Sequence, residues 1–215
     1  MADNSSIEFR NEIYRKGIHL ASLIIPVTYY LIGREKSLAL IIPSTFIFIF
    51  VDLLRFYHKP SGKIFYKFFK PILRKHERNH KVKRLSGGSF VMLTAAITMF
   101  FFPKYIFITA FSILIISDTS AALIGKLFGL HKLLHKKSYE GTFAFFLTAA
   151  FVVLLTPKYQ FSTIEYLICI FGAFIGTLVE MLPNPLDDNL TIPISIGLSI
   201  WGLYLIFLPT VNLIN

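Results

Sequence analysis

The sequence predicts an all-helical integral membrane protein, a bundle of about seven transmembrane helices with a cytoplasmic N-terminus. Three observations lead there. Of 215 residues, 54% are hydrophobic and only 16% charged, whereas about a quarter of a soluble domain is charged. The apolar residues stand in runs on the scale of a bilayer crossing, about 20 residues at 1.5 Å each, instead of recurring at the period of an amphipathic helix or strand. Lysine and arginine gather between alternate runs, as they do in cytoplasmic loops. One domain, 1–215, accommodates the whole pattern, since no internal repeat stands out.

Taken in order, the runs cover residues 18–33, 38–54, 88–102, 105–127, 143–155, 164–182 and 190–208. In lipid each run has to be helical, because a helix satisfies its own backbone donors and acceptors. No small-residue cleavage pattern follows the first run, so it reads as a retained helix and not as a signal peptide. Several runs are shorter than the roughly 18 residues of a full span, which leaves one of them open to a re-entrant path. Asp52, Asp118 and Glu180 fall inside runs, toward their ends. The lone Cys169 lies in an apolar run, so no intrachain disulfide can form.

With seven spans, the N-terminal tail, the stretch 55–86, the loop 126–142 and the turn 183–189 share one side. They hold three, eleven, four and no Lys or Arg, which is 18 of the 22 in the chain. Arg34, Lys36, Lys104 and Lys158 make up the other side. The basic side is expected to be the cytoplasm. Ten of the twelve acidic residues lie there too, or in the adjoining ends of the spans. An ionisable group within a span is costly and is a functional-site candidate by default. A transporter places such groups near the midplane. Here they collect at one interface, which suits an enzyme that takes a charged substrate from the cytosol and a lipid from the bilayer.

The stretch 61–78 sets Ile64, Phe65, Phe68, Phe69, Ile72 and Leu73 among Lys63, Lys67, Lys70 and Arg74. That pattern describes an amphipathic helix in the headgroup layer, kinked or divided at Pro71. Anionic lipid headgroups would hold it by about 1 kcal/mol per basic residue, and its plainest role is a positive-inside anchor. The net charge of +10 calls for no nucleic-acid partner, because the membrane already explains it.

No phosphate-binding loop, dinucleotide fingerprint or paired-cysteine metal site occurs in the chain. Four polar clusters remain. Arg15, Lys16 and His19 open the first run, where they can meet a phosphate or simply flank the membrane. Asp118, Ala122, Gly125 and Gly129 fall on one helical face, small residues headed by a carboxylate, with Thr119 and Lys126 beside them. Small faces serve close helix packing, but packing does not require the charge of Asp118. Lys136, Lys137, Ser138, Glu140, Gly141 and Thr142 open the fifth run, as an anion site at a helix start or as a basic loop and cap. Glu140 in such a site suits a metal or ribose better than a phosphate.

The fourth cluster is Glu180 followed, after Pro183-Asn184-Pro185, by Asp187, Asp188 and Asn189. One of the last three suffices to cap the seventh helix, and the surplus of oxygen ligands suits Mg²⁺ held by one or two carboxylates and substrate phosphates. Asp118, Glu180, Asp187 and Asp188 are therefore the candidate metal ligands.

In this order, Arg15-Lys16-x-x-His19, Asp118-Thr119-x-Ala121 with Gly125 and Phe128-Gly129, Lys137-Ser138-x-Glu140-Gly141-Thr142, and residues 187–193 resemble the diacylglycerol/polyprenol kinase family. That family includes dolichol kinase, phytol kinase and the CTP-dependent diacylglycerol kinase of yeast. The resemblance covers about residues 10 to 200. It implies transfer of the γ-phosphate of CTP to the hydroxyl of a membrane lipid alcohol, with a divalent metal. Asp118, Asp187, Asp188 and Lys137 are then the expected catalytic groups. Arg15, Lys16, His19, Thr119, Gly125, Lys126, Gly129, Ser138, Glu140, Gly141, Thr142 and Asn189 are the expected substrate-binding set. CTP:phosphatidate cytidylyltransferase is a related alternative, but its C-terminal Lys-Arg…Lys-Asp signature is missing, since no Lys or Arg follows Lys158. A small transporter or membrane scaffold is the non-enzymatic alternative.

Overall fold

The computed structural model describes residues 2–69, 73, 85–133, 137–183 and 186–213. They form α1 (Ala2–Ala21), α2 (Ile24–Ile32), α3 (Arg34–Tyr57), α4 (Lys59–Phe69), α5 (Gly87–Phe101), α6 (Lys104–Leu127), α7 (Tyr139–Leu155), α8 (Thr163–Met181) and α9 (Asp188–Phe207). Apart from an isolated bridge between Lys132 and Ser138, no β-structure occurs among the described residues. Four helices, α3, α6, α8 and α9, are long and apolar enough to cross a membrane, and α5 and α7 are shorter apolar helices. The architecture is thus all-helical and compatible with a membrane protein.

The first apolar run departs from a single helix. It is divided between the end of α1 and α2, with the break at residues 22–23. Pro26 is the physical reason: it has no N–H to donate to Ser22, and its ring crowds the carbonyl four residues back. The backbone responds by tightening, with Ser22 N–H donating to the carbonyl of His19 and Ile25 N–H to that of Ser22. The polar tail ahead of the run is also helical. Its Glu, Arg and Lys residues are good helix formers, and no proline interrupts residues 2–21. The amphipathic stretch begins as α4, ending at Phe69. Its continuation through Lys70, Pro71, Ile72 and Arg74 lies outside the described residues.

Between α2 and α3 the chain reverses at Gly33, whose φ of 81° is a backbone conformation that L side chains rarely adopt. The centre of the bundle is α6, buried without interruption over residues 106–115 and packed against α1, α2, α7, α8 and α9. A helix apolar on every side is at home inside such a ring. On α3, by contrast, Phe46, Ile47, Phe48 and Phe50 are exposed.

The α6–α7 seam is built on small residues. A Cβ on Gly129 would come within 2.1 Å of the Gly125 carbonyl oxygen and 2.7 Å of Ser138 Oγ, and one on Gly141 within 2.9 Å of the Ala121 carbonyl oxygen. Backbone cannot yield to such contacts as a flexible side chain can. Gly129→Ala is therefore expected to destabilise the protein by about 1–3 kcal/mol through overpacking. A lowered thermal unfolding midpoint in detergent checks this, and an unchanged midpoint would contradict it.

One end of the bundle carries a buried ionic cluster that is wholly spent on the fold. Glu165 accepts hydrogen bonds from the backbone N–H groups of Tyr159, Gln160 and Ser162 and from the Tyr204 hydroxyl. Lys158 donates to the carbonyls of Val153 and Thr156. These two residues fasten the α7–α8 turn, and no hydrogen-bonding capacity faces outward.

Candidate active site

At the opposite end the ends of α1, α3, α6 and α8 meet the starts of α5, α7 and α9. Asp118, two turns before the end of α6, points at α1. Lys16 Nζ donates to Asp118 Oδ2 at 2.6 Å and to its carbonyl oxygen at 2.9 Å. His19, one turn later on the same face of α1, brings Nε2 to 3.4 Å from the same Oδ2. The lysine is 4% exposed and the aspartate 18%. In so dry a setting, breaking the pair strands a charge, which is far costlier than losing a surface ion pair. Arg15 pairs with Glu12 one turn back on α1.

These groups form the polar end of a cavity of about 460 Å³. Asn189 joins Arg15, Lys16, His19 and Asp118 there, while Ile47, Phe48 and Val51 of α3, Phe65 and Phe69 of α4, Leu73, and Val91 and Met92 of α5 supply an apolar remainder. Phe65 and Phe69, from the amphipathic helix α4, thus form part of the cavity wall.

Beside the cavity is a second charged group centred on Lys137. Its ammonium lies 3.2 Å from Glu180 Oε1 and 3.2 Å from Asp188 Oδ2, and it also donates to the Glu180 carbonyl. Thr142 Oγ1 donates to Glu180 Oε2 at 3.3 Å. Asn189, next to Asp188 in sequence, lines the cavity together with Asp118, which sets this group beside the first.

The remaining predicted residues have other neighbours. Asp187 is the N-cap of α9, accepting from Asn189 N–H at 3.0 Å and from the Asn189 amide at 2.7 Å. Ser138 caps α7 by accepting from Gly141 N–H, and Gly125, Gly129 and Gly141 crowd around that serine at the helix seam. Thr119 spends its hydroxyl on the Ile115 carbonyl within its own helix. Lys126 lies over the ring of Phe9. Glu140, ahead of the apolar part of α7, accepts from His131 Nδ1 at 2.7 Å and from its backbone N–H. Those bonds, the side-chain one first, hold its carboxyl down to about 2, so it stays an ionised clasp on the α6–α7 turn. Lys136, Asn184 and Pro185 lie outside the described residues.

The donor set bears on the metal that the sequence implies. Among the described residues no three His, Cys, Asp or Glu side chains converge as a ready-made metal site. Two carboxylates from different helices do face one cation, the ammonium of Lys137. A Mg²⁺ site that borrows its other ligands from phosphates and water asks for no more than one or two. Glu180 and Asp188 fit that requirement.

Asp52 stands out in the sequence as an ionisable group inside an apolar run, but the cluster around it does not. Asp52, 1% exposed, accepts from Ser86 N–H and Oγ–H and from Ser89 Oγ–H, and Arg55 Nε stands 3.1 Å from its other oxygen. The available signal was a carboxylate inside an apolar run; its serine partners, more than thirty residues onward, carry no motif.

No protein-family model matches the chain, and no solved structure matches it significantly. Two curated proteins do. An uncharacterized protein of Rickettsia prowazekii, RP860, is 36% identical over 194 residues, 89% of this chain and 94% of that protein. The CTP-dependent diacylglycerol kinase 1 of Schizosaccharomyces pombe is 26% identical over 200 residues, 86% of this chain and 90% of the yeast protein.

Proposed function

We propose that this chain, which belongs to the same family as RP860 of Rickettsia prowazekii, is a membrane lipid kinase that transfers the γ-phosphate of a nucleoside triphosphate, CTP foremost, to the hydroxyl of a lipid alcohol. The distant similarity to a CTP-dependent diacylglycerol kinase supports the class of reaction. The observation that carries the proposal is the cavity: its lining is largely apolar and includes Lys16, His19 and Asp118, with a second charged group at Lys137 beside it. An amphiphile with a terminal hydroxyl fits such a lining, chain along the apolar part and oxygen among the charges. Diacylglycerol and isoprenoid alcohols are the acceptor classes of this reading.

Phosphoryl transfer asks a protein for position and charge neutralisation more than for covalent help. In this reading Lys137 and Arg15 would hold the triphosphate, and Lys16, bonded to Asp118, would keep that carboxylate in one orientation at the acceptor. Asp118 is then the group beside the acceptor hydroxyl. Glu180 and Asp188 would hold the divalent cation, which when bound neutralises phosphate charge. Asp187, as N-cap, sets the start of α9 and thereby aims Asp188 and Asn189. The 18-to-4 division of Lys and Arg supports a multi-pass topology with this end of the bundle, and the N-terminus, at the cytoplasm.

The test is purified protein presented with each nucleoside triphosphate and a panel of long-chain alcohols, diacylglycerols and polyprenols in mixed micelles. Nucleoside diphosphate release that requires a lipid alcohol is the expected result. Pyrophosphate release with phosphatidate would move the chain to the cytidylyltransferases, and no turnover with any pair would sink the enzymatic reading.

A further inference from the structure

We propose that Asp52 and Arg55 are positioning residues for the lipid acceptor: together they fix the two cavity walls, from α4 and α5, between which its apolar chain lies. The inference rests on the lipid-kinase reading for the identity of the acceptor.

The carboxylate of Asp52, on α3, gathers donors from the start of α5 and from Arg55 one turn later on its own helix. Oδ2 accepts from Ser86 N–H at 2.7 Å, Ser86 Oγ–H at 2.9 Å and Ser89 Oγ–H at 2.6 Å, while Oδ1 faces Arg55 Nε at 3.1 Å. The start of α5 does not need it, because Ser86 already caps that helix through Ser89 N–H. An ionisable group inside an apolar run is costly, and helix capping leaves that cost unexplained. Arg55 carries the connection onward to α4. Its guanidinium lies between the rings of Phe56 and Phe65, 4.7 and 4.8 Å from their centroids. Its carbonyl stands so close to Gly62 that a Cβ there would approach to 2.9 Å. The hub thus ties α3, α4 and α5 together at one point.

That point borders the cavity. Asp52 and Ser86 line it together with Phe65 of α4 and Val91 of α5. The charged end uses a separate set of hydrogen bonds, Lys16 to Asp118. A hub that sets the walls but not the charged end is expected to govern how the acceptor binds and to leave the nucleotide alone.

Asp52→Asn and Ser89→Ala test this in two ways. In kinetics, both variants are expected to raise the acceptor KM by about tenfold while the nucleotide KM stays within about twofold, the mark of a binding interaction confined to one substrate. In the absence of nucleotide, a long-chain alcohol bearing a photoactivatable group is expected to label the wild type in α4 or α5. Labelling should fall several-fold in both variants, and Asp52→Glu, which keeps the charge, should recover part of it. Equal labelling of wild type and variants would overturn the proposal. So would a matched rise in both KM values with a lowered unfolding midpoint, which is what a purely structural role predicts. Should Asp52→Asn fail to fold, Ser89→Ala, which removes one hydrogen bond, decides alone. Labelling that depends on the hub, in a protein that phosphorylates no alcohol, would end the kinase reading and leave the hub's role intact.

Discussion

Asp118→Asn is expected to lower turnover by about 100-fold or more, the scale of removing a preorganised electrostatic group. The amide keeps the shape of the carboxylate and loses its charge at the point where the acceptor hydroxyl is proposed to sit. It also leaves the ammonium of Lys16, 4% exposed and 2.6 Å from Asp118 Oδ2, without its counter-charge, so the single variant should lose about 3–5 kcal/mol of stability as well. The double variant Lys16→Met/Asp118→Asn removes both charges and is expected to regain most of that stability, because a well-packed apolar replacement of a buried pair is often neutral. Its activity should stay as low as that of the single variant. Recovery of activity together with stability would return the pair to a structural role.

The second large effect is expected around Lys137. Lys137→Met removes the cation shared by Glu180 and Asp188 and leaves two carboxylates facing each other, so turnover should again fall by about 100-fold. Asp188→Asn separates the cation-site reading from simple charge pairing. With Asp188 as a metal ligand, its activity should fall steeply and recover in part at raised Mg²⁺ or with Mn²⁺, which accepts mixed ligands. Asp187→Asn should be nearly neutral, because asparagine caps a helix as well as aspartate does. A metal titration of both variants, with Mn²⁺ binding followed by electron paramagnetic resonance, checks the pattern. Wild-type rates and unchanged metal dependence in Asp188→Asn would remove the cation site.

The apolar runs were legible because composition alone sets them apart, and α3, α6, α8 and α9 lie on them within a few residues. The division of the first run was not foreseen: Pro26 was in plain view, but its consequence depends on a local hydrogen-bond pattern that hydropathy does not register. Lys16, His19 and Asp118 were each identifiable as costly groups near a span end. Their meeting across about a hundred residues of chain is a tertiary fact that no spacing predicts. The sequence offers Gly125 and Gly129 for packing or substrate and Gly141 for an anion site or a cap; the close approaches at the α6–α7 seam show all three at a packing contact. The Asp52 hub stayed hidden because its donors are two ordinary serines, and serine at a helix start already has a sufficient explanation as a cap.

The central claim is that phosphate leaves the nucleotide from its γ position and arrives on a lipid oxygen. CTP labelled with ³²P at the γ position, and separately at the α position, would be incubated with the protein and the best acceptor, and the lipid extract counted. The account predicts label in the lipid from γ-labelled CTP, none from α-labelled CTP, and loss of the signal in Asp118→Asn. Label in the lipid from α-labelled CTP, with pyrophosphate as the co-product, would contradict it.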